Sequence, residues 1–259
     1  MKAARLLIGL ALALGLALAA AAQGESVQEG NLVVRFDGGI SPHALPRSEV
    51  APVAVKISTT IDTSDSTEPL PQLRKIAIGI NREGKIFDRG LPTCRVRKIQ
   101  PTTIAAARRI CGGAIVGKGH VGVRVHLPNQ APFTFTGPML VFNAKPSGGG
   151  RRLLAQVYGR KPPSAFVLTF KVKKQPGTFG NLIRTTLPKP AEKWAYVTHF
   201  DMTLRRIYTY RGRRHSYISA SCPAPEGFPG AVYSFARGKF TFGNGRAMSS
   251  TLVRDCKVR

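Results

Sequence analysis

The chain has 259 residues, with 39 Lys and Arg against 13 Asp and Glu, which gives a formal net charge of +26. This length suits one sizeable domain that buries roughly 70% of the surface exposed by its unfolded chain. So large a positive excess favours anionic partners, and the alternative is an arginine-rich surface that only keeps the protein soluble. Beyond the N-terminal segment, no stretch is apolar enough to span a bilayer.

Residues 1–22 predict a secretory signal peptide. Lys2 and Arg5 form a basic start, residues 6–18 an apolar core, and residues 19–22 a small-residue cleavage zone. The apolar run is short for a membrane span, which needs about 20 residues, although an uncleaved anchor stays an alternative. The predicted location is therefore outside the cell or in the cell envelope.

Apolar side chains at every second position predict strands through most of the mature chain. Residues 23–30 are polar and predict a flexible tail, which a first strand at 32–36 follows. The next two strands have apolar faces, formed by Val53, Val55, Ile57 and Ile61 in the first and by Ile76, Ile78 and Ile80 in the second, which is predicted over residues 73–80.

The segment 90–127 combines the one convincing helix with a clear strand pattern. A threonine at 102 or 103 can cap a helix over residues 104–110, and Gly112-Gly113 favours a left-handed helix end. Residues 121–127 then alternate between apolar and polar side chains, as in a half-buried strand.

No metal site and no cofactor are predicted. His120, Arg124 and His126 share the solvent face of that strand, but no third metal ligand lies nearby in sequence. Residues 117–122 spell G-x-G-x-x-G, yet a dinucleotide fingerprint must open a helix, and here a strand follows.

The strand pattern continues to the C-terminus. Residues 133–142 predict one or two strands, broken near Gly137-Pro138. Further strands are predicted at 153–158, 165–174, 179–187, 196–210, 215–222, 233–242 and 248–258, with a hairpin tip at residues 211–213.

Four cysteines in an exported chain predict two disulfides. Three pairings are possible. We favour Cys94–Cys111 and Cys222–Cys256, because each pair brackets a compact local unit. The absence of a Cys-x-x-Cys motif gives no support to a thiol redox centre or a cysteine zinc site.

Many short strands joined by Gly and Pro turns predict an all-β fold. We expect an antiparallel two-sheet sandwich, jelly-roll-like or similar, with one short helix, formed by residues 31–259 as a single domain. The alternative is two small β units divided near Gly148.

The sequence favours a protein that is not an enzyme, and no catalytic residues are assigned. The motifs G-x-S-x-G and H-E-x-x-H are absent. His199 and Asp201 share one face of a predicted strand, and Ser216 lies on its predicted hairpin partner. Ser216 shares parity with Ile218 and Ala220, however, which turns it toward the core rather than toward a catalytic triad.

A basic hairpin is the predicted binding surface. Arginine binds phosphate or carboxylate through a fork of donors, and tyrosine offers flat contact area. The candidate residues for polyanion binding are Arg205, Arg206, Tyr208, Tyr210, Arg211, Arg213, Arg214 and His215. The alternative is an ordinary solvated hairpin.

Three motifs resemble a group of exported bacterial β-rich proteins with no assigned function. They are G-L-P-T-C at 90–94, C-G-G-A-I-V-G-K-G at 111–119 and S-Y-I-S-A-S-C-P-A-P at 216–225. The resemblance covers most of residues 70–258. It implies a β-rich exported domain and carries over no functional residues.

Together these features predict an exported, non-enzymatic β protein that associates with anionic envelope or extracellular polymer, without specific nucleic-acid recognition. Two alternatives stay open. One is a secreted hydrolase with an unrecognised site, and the other is a structural envelope component without a ligand.

Overall fold

The structure, a computed structural model, describes residues 24–65, 70–160, 163–187 and 194–259. The predicted signal peptide at 1–22 lies outside these residues. The strands run in chain order as β1 (Glu25–Glu29), β2 (Leu32–Ser41), β3 (Ala44–Leu45), β4 (Ala51–Pro52), β5 (Ala54–Thr63), β6 (Leu73–Ile80), β7 (Gly84–Ile86), β8 (Ile115–Val125), β9 (Phe133–Ser147), β10 (Gly150–Arg160), β11 (Pro163–Lys174), β12 (Asn181–Thr186), β13 (Ala195–Leu204), β14 (Ile207–Tyr210), β15 (Arg213–Ser216), β16 (Ile218–Ala220), β17 (Gly230–Phe242) and β18 (Ala247–Val258).

The prediction of an all-β chain with little helix is confirmed, but its arrangement differs from two separate packed sheets. Most strands form one curled 13-stranded sheet, in the order β1-β2-β5-β13-β8-β9-β10-β11-β12-β6-β17-β18-β3. Two small sheets, β14-β15 and β4-β16-β7, lie beside it. The curl brings β18 back to β1 and β2, where Ser250 Oγ donates to Glu25 Oε2 at 3.2 Å and Arg254 contacts Asp37 at 2.7 Å.

Apolar residues at alternate positions line the inside of the curl. Phe170 on β11 stacks on Phe200 of β13 across the interior, with ring centroids 6.2 Å apart. Phe36 on β2 meets Phe240 on β17 edge-on at 5.7 Å. Because strands distant in sequence contribute these rings, burial of apolar area closes the curl.

Two short helices cover the outside of β9 and β10. They are α1 (Val96–Ile99) and α2 (Ile104–Cys111), and a 3₁₀ turn over Gly112–Ala114 follows. As predicted, a threonine caps α2, since Thr103 Oγ1 accepts from the Ala106 N–H at 3.2 Å. The predicted left-handed end at Gly112 is wrong. Its φ is −54°, so the chain stays right-handed and passes into the 3₁₀ turn.

Both predicted disulfides are present. Cys94–Cys111 ties α2 to the segment beside β9, above a small second core that includes Ile99, Ala107 and Phe142. Cys222–Cys256 joins the segment after β16 to the end of β18, and both its cysteines are buried. Two disulfides fit a chain that matures in an oxidising compartment.

Three segments differ from the sequence predictions. Within the predicted tail at 23–30, Glu25–Glu29 pairs with β2 as strand β1. Strand β9 runs unbroken through Pro138, which pairs with His120 of β8, while the ladder with β10 ends at Met139. The predicted long strand at 196–210 is two strands separated by Arg205-Arg206. The first, β13, belongs to the curled sheet, and the second, β14, belongs to a small sheet.

Tyr217 places a hydroxyl in the core without a hydrogen-bond partner. The residue is fully buried, and its Oη contacts no donor or acceptor. Burial, and to a lesser degree nearby Asp88, raise the pKa of Tyr217 well above its usual value of 10.0. The folded state therefore holds this proton at pH values where the unfolded chain loses it.

We expect Tyr217→Phe to raise the free energy of unfolding by about 1 kcal/mol at neutral pH, because it removes an unsatisfied buried hydroxyl. Above pH 10 the wild type loses stability as the unfolded tyrosinate forms, and the variant should lose less. Urea unfolding at pH 7 and pH 11 measures both effects. Tyr196→Phe is the control, since it removes a tyrosine hydroxyl from a side chain that is only partly buried; a destabilised Tyr217→Phe variant would show that the hydroxyl has a partner.

Candidate functional site

The predicted basic hairpin is formed by β14 and β15. Tyr208 lies opposite His215, and Tyr210 lies opposite Arg213. The connecting residues Arg211 and Gly212 have φ values of 50° and 71°. Positive φ at both positions fits the two-residue turn that matches strand twist in a hairpin.

The aromatic face of this hairpin packs against the protein. Phe87 stacks on His215 at 4.6 Å, and the Tyr208 hydroxyl can donate its proton to the carbonyl of Arg89 at 2.9 Å or of Phe87 at 3.2 Å. The Tyr210 ring occupies the space where any side chain at Gly90 would lie. These rings hold the hairpin in place and offer little free area to a ligand.

The cations of the hairpin divide into two groups. Arg211, Arg213 and Arg214 are exposed at its tip, whereas the Arg206 Nε is buried without a hydrogen-bond partner. Arg205 and Arg214 line an open cleft of about 500 Å³ against β4 and β5. The structure thus brings part of the predicted binding set to solvent and turns the rest inward.

A larger cationic surface comes from one part of the sequence. Between Asp88 and Glu192 the chain contains no Asp or Glu. This acid-free segment supplies both helices and the adjacent strands β8, β9, β10, β11 and β12. One side of the curled sheet is therefore built almost wholly from residues that are basic or neutral.

Four cations form a straight row across the outside of this sheet. Arg152 on β10 lies opposite Lys171 on β11, and Lys171 lies opposite Arg184 on β12. Arg184 and Lys239 of β17 both pair with Ala77 of β6. At 4.7–4.9 Å per strand, this cationic row spans about 19 Å.

The side chains of the cationic row point to solvent. Lys171, Arg184 and Lys239 are exposed, and Arg152 is partly exposed. Arg152 Nε donates to the Lys145 carbonyl at 2.8 Å, which leaves its charge unbalanced. Within the described ranges, the ion pairs of the structure involve other cations, so these four have no carboxylate partner.

The strand register that aligns the cationic row destabilises the folded state, because it places like charges side by side. Like charges directly opposite on neighbouring strands are destabilising, and two such pairs occur in succession here. All four positions face solvent, where neutral polar residues would fit as well. None of the ion pairs among the described residues offsets this repulsion.

A histidine cluster also forms on the outer face. Asp201 Oδ2 lies 3.3 Å from both His120 Nδ1 and His199 Nε2. Sequence reasoning missed this cluster because β13 supplies the acid to a histidine on β8. Among the residues with described positions, no group of three or more acids, histidines or cysteines has the arrangement of a metal site. His126 lies elsewhere, edge-on to Tyr196 at 5.2 Å.

The catalytic triad considered from the sequence does not assemble. Ser216 is buried, and its hydroxyl donates to the Ile218 carbonyl at 2.6 Å. Its strand, β15, pairs with β14, whereas the neighbours of β13 are β5 and β8. Ser216 therefore lies on a different sheet from His199 and Asp201.

Sequence reasoning found the hairpin but overlooked the cationic row. The acid-free segment is visible in the sequence and could have indicated a basic side of the molecule. The alignment of the row could not have been found, because it depends on the register of strands from distant segments.

No helix of the described residues is long and apolar enough to cross a membrane. Neither a family model, nor a curated protein, nor a solved structure matches this chain.

Proposed function

We propose that the protein is exported and binds a linear anionic polymer of the cell envelope or extracellular space. The cationic row of Arg152, Lys171, Arg184 and Lys239 is the main contact surface. The observation that carries the proposal is the cross-strand alignment of these unpaired cations on the outside of the sheet.

The spacing of the row suits a repeating anion. Strands 4.7–4.9 Å apart present one cation at nearly every step, which a polymer with regularly spaced phosphate or carboxylate groups can follow. Lys173 and Arg237 are also exposed, in the adjacent line of residues on the same face, and widen the positive field. Such contacts release counterions, so binding should depend steeply on salt.

The test is a salt titration of binding to long-chain inorganic polyphosphate by fluorescence anisotropy. The variant Lys171→Gln/Arg184→Gln/Lys239→Gln should bind at least tenfold more weakly at low salt. Its slope of log affinity against log salt should fall by about two, since each contact contributes roughly 0.7 by analogy with single-stranded nucleic acid. Glutamine keeps much of each side-chain stem, so packing is disturbed little.

Two variants with the same loss of charge serve as matched controls. One changes Arg211, Arg213 and Arg214 of the hairpin to Gln, and the other changes Arg97, Lys98 and Arg109 of the helices to Gln. Both should keep most of the affinity. Equal losses of affinity in all three variants would mean that binding depends only on net charge, and they would overturn the proposed surface. A larger loss in the hairpin variant would move the site to the hairpin, and no binding by the wild type would favour a structural component without a ligand.

A further inference from the structure

One end of the curled sheet is packed, and the other end is hollow. Around Ile57, Ile78 and Met202 the interior leaves a void of only about 10 Å³, which is barely room for one water molecule. Beyond the Phe170–Phe200 stack lies a cavity of about 540 Å³. Pockets that bind small molecules typically measure about 300–1,000 Å³.

The walls of this cavity are almost entirely apolar. They come from the ends of strands β6, β8, β9, β11 and β13, and of the described residues that line them only Gln100 and Ser164 are polar. Water in such a space finds few hydrogen-bond partners, which is why apolar cavities tend to stay dry or take apolar ligands. The lining therefore selects hydrocarbon over a sugar or a peptide.

Solvent reaches part of the lining. Val125, Phe133, Phe166, Ala195 and Val197 face the interior yet are only partly buried. Apolar residues that point inward normally bury completely, as Phe170 and Leu153 do on the same sheet. Partial exposure of inward side chains marks an opening through which a ligand can enter.

We infer that this cavity binds one long hydrocarbon chain with an anionic head group, that is, a long-chain fatty acid. The chain lies among the apolar walls, and the carboxylate lies toward Gln100 and Ser164, whose side chains can donate hydrogen bonds. The large positive net charge of the chain attracts an anionic amphiphile, and strands β8, β9 and β11 of the lining come from the acid-free segment. This site is separate from the cationic row and does not rest on it.

Chain length tests the inference on the unmodified protein. In calorimetric titrations palmitate should bind far more tightly than octanoate, with each methylene lost weakening binding by roughly fourfold. Cetyl alcohol, which lacks the charge, should still bind and should be insensitive to salt. If palmitate and octanoate bind alike, or if high salt abolishes palmitate binding, the ligand is held by surface charge and the inference is overturned.

A cavity-filling variant gives an independent test. Ala195→Phe/Val197→Phe adds two rings to the empty space and should weaken palmitate binding at least tenfold. Thr134→Phe is the matched control, because Thr134 is exposed on β9 between the lining residues Phe133 and Phe135. It should bind as the wild type does. If the filled variant folds, as judged by thermal unfolding, and retains full affinity, the cavity is not the site; if it fails to fold, the chain-length series decides.

Discussion

Replacing Cys222 and Cys256 together with alanine is expected to lower the free energy of unfolding by about 4 kcal/mol. The bond closes a loop with a sequence separation of 34 residues, and its removal returns that much conformational freedom to the unfolded chain. Alanine is chosen because both cysteines are buried, where serine would add an unsatisfied hydroxyl. Urea unfolding followed by tryptophan fluorescence measures the loss.

The same double replacement at Cys94 and Cys111 is the comparison. Its loop is shorter, with a separation of 17 residues, and the expected loss is about 3 kcal/mol. That disulfide ties only the helices to β9, so its loss should free the helices before the sheet opens. If removal of Cys222–Cys256 leaves the unfolding midpoint unchanged, the bond does not constrain the unfolded chain as the loop argument requires.

The variant Arg254→Met should cost about 3 kcal/mol, because this residue joins the two ends of the curled sheet. Its side chain is only 9% exposed. Nε donates to the Gly38 carbonyl at 2.6 Å and Nη2 to Asp37 Oδ1 at 2.7 Å. Methionine preserves the stem but leaves that carbonyl without this donor. The Asp37 side chain is 48% exposed, so solvent screens part of the ion pair and the value lies at the low end for buried pairs.

The readout is chemical unfolding together with hydrogen exchange of the β1 and β2 amides, which should lose protection before the rest of the sheet. Arg35→Met on β2 is the control. Arg35 is exposed, and its replacement should change stability by no more than about 0.5 kcal/mol. Equal effects of the two variants would mean that Arg254 acts only as one more surface charge.

Individual strands could be predicted because a strand that buries one face needs an apolar side chain at every second position. The strand expected over Leu73–Ile80 has those bounds, and the expected strand at 165–174 lies within β11. The disulfide pairing could also be predicted from the sequence, since each pair brackets a local unit. These features depend on residues close together in the chain.

The arrangement of strands had no such local signal. Strand β6 lies between β12 and β17, and β13 lies between β5 and β8, partners from remote parts of the chain. The curl, the cationic row and the apolar cavity all follow from this order. The hairpin was found from its own residues, but Phe87, whose contact turns its aromatic face inward, lies more than 100 residues earlier.

The mutual repulsion within the cationic row has a consequence for storage and for habitat. Dissolved salt screens these charges from one another and also from any polyanion. It therefore increases the stability of the fold and decreases the affinity for the polymer. The folded protein should therefore be most stable at high salt concentration and should bind polyanions most tightly at low salt concentration.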